Sequence, residues 1–160
     1  REVDDLLLKY GGHDHAAGLT LAVEHVAELS EAFDAHAHRV LTPDQLVARI
    51  EADAVLPLSE ISFSLIEELN QLAPHGMGNR SPLFLATRVD ILDRRAVGAD
   101  KRHLKLTLDA GRPLDAIAFS MADSAPSPGV PVDILFVPEI NVFRGKRTLQ
   151  ARVRYMRASR

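Results

Sequence analysis

No cysteine and no tryptophan occur among the 160 residues. The missing thiols exclude disulfides, thiolate zinc sites and a cysteine nucleophile together, and they fit a reducing compartment. Aromatic residues are scarce, at 5%, so a dense array of ring platforms is excluded as well. No apolar run approaches the roughly 20 residues that cross a bilayer, and nothing at the N-terminus reads as a secretory signal. What is present is ordinary for a globular chain: 46% hydrophobic residues, enough for a sizeable core. The chain opens without methionine on REVDDLLLKY and reads as part of a longer protein, in one domain or two small ones.

The net charge of -3 hides a division. Residues 1–79 carry 4 Lys+Arg against 14 Asp+Glu, a balance of -10, and residues 80–160 carry 15 against 8, a balance of +7. Such asymmetry points to two units with different partners, and the basic half is the one suited to a polyanion.

Residue patterns place a boundary nearby. EVDDLLLKY has apolar residues at helical spacing and is predicted as a helix ending at Gly11-Gly12. AAGLTLAV reads as a strand, and EHVAELSEAFDAHAHRVL as a helix with Val26, Leu29, Phe33 and Val40 on one stripe. Thr42-Pro43-Asp44 predicts an N-cap with proline at the first helical position. IEADAVLPL reads as a strand ended by Pro57, and Ser59 opens a helix to about Leu72 with Ile61, Leu65, Ile66 and Leu69 inward. APHGMGNRSP is a turn-rich linker.

Beyond it come five strand-like runs, LFLATRVDIL, HLKLTLD, LDAIAFSM, VDILFVPEINVF and TLQARVRYM. Leu104, Leu106 and Leu108 alternate with Lys105, Thr107 and Asp109, the mark of a half-buried antiparallel strand. Five strands in a basic half suit a five-stranded oligonucleotide-binding (OB) barrel. Its cations fall in two groups: Arg94, Arg95, Lys101, Arg102 and Lys105, then Arg144, Lys146, Arg147, Arg152, Arg154, Arg157 and Arg160. Along one groove they would neutralise phosphates and give sequence-blind, salt-sensitive binding; scattered, they are a solvated outer face. Stacking platforms are few: Phe84, Phe119, Phe136, Phe143, Tyr155 and the ring of His103.

GGHDHAAG, at Gly11–Gly18, has small residues at five of its eight places, with His13, Asp14 and His15 at the others. A glycine pair before His13 can offer turned backbone N–H groups and an imidazole to one phosphate oxygen, as in an anion-binding nest. Glycine pairs after helices are also plain C-caps. His13, Asp14 and His15 form no convincing metal-ligand set, and the bland reading of His25, His36 and His38 is surface or packing.

The motif resembles the signature of the DHH-associated domain, the second domain of DHH-family phosphoesterases, at Gly11, Gly12, His13, Ala16, Ala17 and Gly18. FSLIEELNQLAPHGMGNRSPLFLA resembles the segment leading into the OB domain of the RecJ family, single-stranded-DNA-specific exonucleases of the DHH superfamily. The matching positions are Leu69, Leu72, Pro74, Gly76, Gly78, Asn79, Pro82 and Phe84. HLKLTL, DAIAF and RTLQARV resemble that family's barrel strands, so the resemblance runs over nearly the whole chain.

The resemblance implies an α+β fold: the C-terminal part of a DHH-associated α/β domain at 1–56, a connecting helix and linker at 57–79, and an OB-type β-barrel at 80–160. It implies a 5′-3′ exonuclease of bacterial cytoplasm acting in recombination and repair, with single-stranded DNA as partner, alongside repair proteins such as a helicase or single-strand-binding protein. Gly11, Gly12 and His13 would contact the nucleic-acid phosphate, and His15 holds a free position of the pattern. The family's Mn or Mg ions are held by an N-terminal DHH domain. This chain has no Asp-His-His triplet, and no metal ligand is assigned within it, so the fragment alone is expected to be inactive. The alternatives are a non-catalytic protein-interaction module and part of another DHH-family phosphodiesterase.

Overall fold

The structure, a computed structural model, describes residues 3–159. They form two compact units, 1–50 and 51–160, which divide six residues before the boundary at 56.

In the first unit a single 3-10 turn, Asp4–Leu6, leads into strand β1, Leu7–His13. The predicted helix is therefore replaced by a strand. Strand β2, Ala16–Leu21, pairs with it antiparallel, setting Gly11 opposite Gly18, Gly12 opposite Ala17 and His13 opposite Ala16. The reason is tertiary: two adjacent glycines weaken a helix by about 1 kcal/mol each, whereas an available partner strand satisfies the backbone at once. Helix α1, Val26–Val40, follows as expected, but only Leu29 of its apolar stripe is buried, and Val26, Phe33 and Val40 are exposed. Thr42 and Gln45 form a capping box over one 3-10 turn, Pro43–Leu46, with Thr42 N–H donating to Gln45 Oε1 at 2.8 Å.

The second unit opens with a two-residue strand β3, Ala54–Val55, and a 3-10 turn at Leu58–Glu60. Helix α2, Phe63–Asn70, is capped by Ser62, whose hydroxyl accepts from Leu65 N–H at 3.2 Å. Ile61 and Ile66 are buried in the core, and Leu65 and Leu69 pack against it, as the periodicity predicts. The glycine-rich segment then closes on itself, with Asn79 Nδ2 donating to the carbonyls of Leu72 and Pro74, both at 2.9 Å.

The first of the five expected strand runs divides at Asp90 into β4, Phe84–Val89, and β5, Ile91–Val97. The rest give β6, His103–Asp109; β7, Pro113–Ala118; β8, Val132–Phe143; and β9, Lys146–Ala158. The sheet runs β3-β4-β8-β9-β7-β6-β5. This corrects the expectation of a closed five-stranded barrel: seven strands form a ladder whose ends, β3 and β5, do not pair among the described residues. The single residue Asp90 nonetheless joins β4 near one edge to β5 at the other. Its carbonyl accepts from Asp109 N–H at 2.9 Å. Leu104, Leu106, Leu108, Leu114, Ala116, Ala118, Ile134, Phe136, Ala151 and Val153 fill one side of the sheet.

The β4–β8 ladder is interrupted between Ala86 and Val89, where Arg88 takes φ 52°. Asp133 is buried beside this break. Its carboxylate accepts from Ser159 Oγ, from Arg88 N–H at 3.2 Å and from Arg157 Nη2 at 3.2 Å. These bonds, Ser159's first, hold its pKa below the ordinary aspartate value. A carboxyl depressed in the folded state stabilises fully above its unfolded pKa, near 4, and loses that contribution as pH falls through the folded value. Asp133→Asn is therefore expected to lower the urea midpoint at pH 7, by about 2 kcal/mol of stability. Toward pH 3 the difference from the unaltered chain shrinks.

Candidate nucleic-acid interface

Strand pleating turns alternate residues to opposite sides, so the register sorts the cations by face. On the side away from the core, Arg95 lies opposite Lys105, Lys105 opposite Ile117, Ile117 opposite Arg152, and Arg152 opposite Val137. The neighbouring row runs Asp93, Thr107, Asp115, Gln150 and Glu139. Toward the β8–β9 turn the same face continues through Asn141 opposite Thr148 and Phe143 opposite Lys146. At its other end stand His103, opposite Val97, and Phe119.

Two turns flank this outer face. Arg144 and Gly145, at φ 49° and 79°, make the two-residue connection of β8 to β9, a backbone that matches the twist of a hairpin. Arg144 folds its guanidinium over the Phe143 ring, 5.3 Å from the centroid. The β5–β6 turn holds Lys101, at φ 54°, and Arg102. Arg102 is clasped by Asp100, whose carboxyl its guanidinium holds below the usual carboxylate range.

Two of the sequence-assigned cations leave the face. Arg94 stands in register with buried Leu106 and donates to the Pro126 carbonyl at 2.7 Å. Arg147 turns toward α2, 3.4 Å from Glu67 and 5.5 Å from the Phe63 centroid. Lys105 stays on the face but is tied to Asp115 at 3.0 Å and to Gln150 at 3.3 Å. Gln150 in turn donates to Glu139 at 2.8 Å. Among the described residues, Arg95, Lys101, Arg144, Lys146 and Arg152 have no carboxylate partner. Alternation in the sequence could have excluded Arg147, which shares the parity of Leu149, Ala151 and Val153. The apolar residues of β5 fall on both parities and leave Arg94 unassigned, and the Lys105 network spans three ladders and has no local signal.

The aromatics divide as sharply. Phe84 and Phe136 are core, their centroids 6.2 Å apart, and offer no platform. Phe119, Phe143 and Tyr155 are exposed.

In the other unit, Gly11 and Gly12 lie in an extended ladder and neither takes positive φ, so the expected nest of turned N–H groups is not formed. Gly12 serves close approach instead: a Cβ there would meet Ala16 O at 2.5 Å and Ala17 Cα at 2.6 Å. His13 ends β1 at the hairpin turn, exposed, its Nδ1 3.4 Å from His15 N. No three His, Asp or Glu residues gather as metal ligands among the described residues.

The model of the RecJ OB domain matches residues 52–155, nearly the whole of this sheet. The chain belongs to the RecJ family. It is 31% identical over 156 residues to the single-stranded-DNA-specific exonuclease RecJ of Bacillus subtilis, covering 96% of this chain and 20% of that protein. The RecJ of Haemophilus influenzae is 34% identical over 95% of this chain and 27% of its own length. The chain thus spans a fifth to about a quarter of these RecJ relatives. The crystal structure of RecJ from Thermus thermophilus in complex with Mn2+ superposes with a TM-score of 0.78 at 27% identity, over 99% of this chain and 23% of that one.

Proposed function

We propose that this chain is the DNA-gripping portion of a 5′-3′ single-stranded-DNA exonuclease of bacterial cytoplasm, acting in recombination and repair. The observation that carries the reading is the outer face, where uncompensated cations and exposed rings share one side of an OB-family sheet. Cations along such a face neutralise phosphates and release counterions, and rings stack bases without regard to sequence. Lys101 at one turn and Arg144 and Lys146 at the other would hold the strand's backbone at the two ends. Arg94, Arg102, Lys105 and Arg147, each already engaged, would add less.

Residues 1–50 are read as the end of a DHH-associated domain, with Gly12 and His13 as a supporting phosphate contact. RecJ of Thermus thermophilus is known in complexes with Mn2+ and with Mg2+. The donor groups described here do not assemble a site for either ion, so no catalytic step is placed on this chain. The grip and the hydrolysis would belong to different parts of the whole protein.

The test uses a 5′-labelled oligonucleotide and a matching duplex, with Mn2+ and with Mg2+. The chain alone is expected to retain the single strand in preference to the duplex and to leave it uncut with either ion. Cleavage by the chain alone, or a preference for duplex, would sink the reading.

A further inference from the structure

One cluster on the outer face is not accounted for by phosphate neutralisation. Phe119 lies just beyond the end of β7 and is 48% exposed. The Arg152 guanidinium stands over its ring at 5.3 Å from the centroid, and the His103 ring meets it edge-to-face at 5.2 Å and 71°. Ser120, at φ 56°, donates its backbone N–H to His103 Nδ1 at 3.0 Å. In neutral His103 the proton is thereby assigned to Nε2, which becomes a donor. The Phe119 ring is thus flanked by Arg152 and His103 while about half of the residue stays exposed.

Arg152 supplies the second observation. Its Nε is buried and has no hydrogen-bond partner among the described residues. The acids nearest in the register are occupied: Asp115 by Lys105, and Glu139 by Gln150. A buried guanidinium N–H without a partner is costly, and with no carboxylate beside it the Arg152 cation is left for an anion brought to this face. An exposed ring, an imidazole and a guanidinium without a carboxylate partner therefore meet at one spot.

We infer that Phe119, Arg152 and His103 form a one-nucleotide subsite that selects single strands over duplex. An unpaired base stacks on Phe119, while its phosphate takes Arg152 and His103 Nε2 donates to the base edge or sugar. A base inside a duplex is already stacked and paired, so it cannot offer its face to Phe119 without leaving the helix. Backbone cations alone hold single and double strands alike, whereas a group that needs an unstacked base favours the single strand. This inference rests on the proposed grip on single-stranded DNA.

The experiment compares affinities of the chain for a single-stranded oligonucleotide and its duplex, by fluorescence anisotropy at fixed salt. Phe119→Ala is expected to lower the ratio of single-strand to duplex affinity about tenfold, the range for loss of one stacked base. Phe119→Trp is expected to restore it, since the larger ring stacks as well. Arg152→Gln should flatten the dependence of log affinity on log salt by about 0.7, one phosphate contact on a single strand. An unchanged ratio in Phe119→Ala, with single-strand binding intact, would overturn the subsite and leave the proposed grip standing. Failure of Phe119→Trp to restore the ratio would assign Phe119 a packing role and overturn the subsite too. If the unaltered chain binds no single strand, both the grip and the subsite fall.

Discussion

Replacing Phe136 by alanine is expected to remove a large share of the second unit's stability, and replacing Phe143 by alanine is expected to leave that stability nearly unchanged. Both phenylalanines stand on the same strand, β8. Phe136 is fully buried, paired with Val153 across the ladder and 6.2 Å from the Phe84 ring. Truncating a phenylalanine in such a site removes its transfer free energy and leaves a cavity, at about 3–5 kcal/mol. Small domains commonly hold only about 5–15 kcal/mol in all. Phe143 is exposed at the hairpin end, so its truncation should move stability by no more than about 0.5 kcal/mol while weakening oligonucleotide binding. Urea unfolding of both variants separates the two roles, and equal destabilisation would contradict the assignment of faces.

Affinity for single-stranded DNA is expected to fall about a hundredfold between roughly 50 and 200 mM salt. Arg95, Lys101, Arg144, Lys146 and Arg152 have no carboxylate partner among the described residues. If each of these meets one phosphate, the slope of log affinity against log salt is about -3.5 for a single strand, which gives that loss over a roughly fourfold rise. The already paired Lys105 and Arg102 release fewer ions, because each must first exchange a carboxylate. Lys146→Ala should therefore flatten the slope more than Lys105→Ala. The reverse order would mean that the ion pairs seen on this face open on binding.

Much of this organisation is legible along the chain, and where it is not, the reason is physical. The five strand runs and the inward face of α2 could be read because alternation and helical spacing are local properties of burial. The division of LFLATRVDIL at Asp90 could not, since it depends on which neighbours each half finds across the sheet. The strand at Leu7–His13 was hidden for the same reason. Its leucines fit a helix, and only the partner AAGLTL makes it extended. That pairing also gives the small residues of GGHDHAAG their cause, because Gly12 must lie against Ala16 and Ala17. Cations could be counted but not weighed. The same residue type is an open charge at Lys146 and a neutralised one at Lys105, and only the cross-strand register distinguishes them.

A titration of isotopically labelled chain with a single-stranded oligonucleotide, followed by amide NMR shifts, bears most directly on the outer face as the nucleic-acid interface. Shifts are expected to concentrate at Arg95, His103, Phe119, Lys146 and Arg152, and to spare the shallow groove lined by Leu58, Ser59, Thr87 and Arg88. Shifts centred on that groove, with the outer-face residues unmoved, would contradict the assignment.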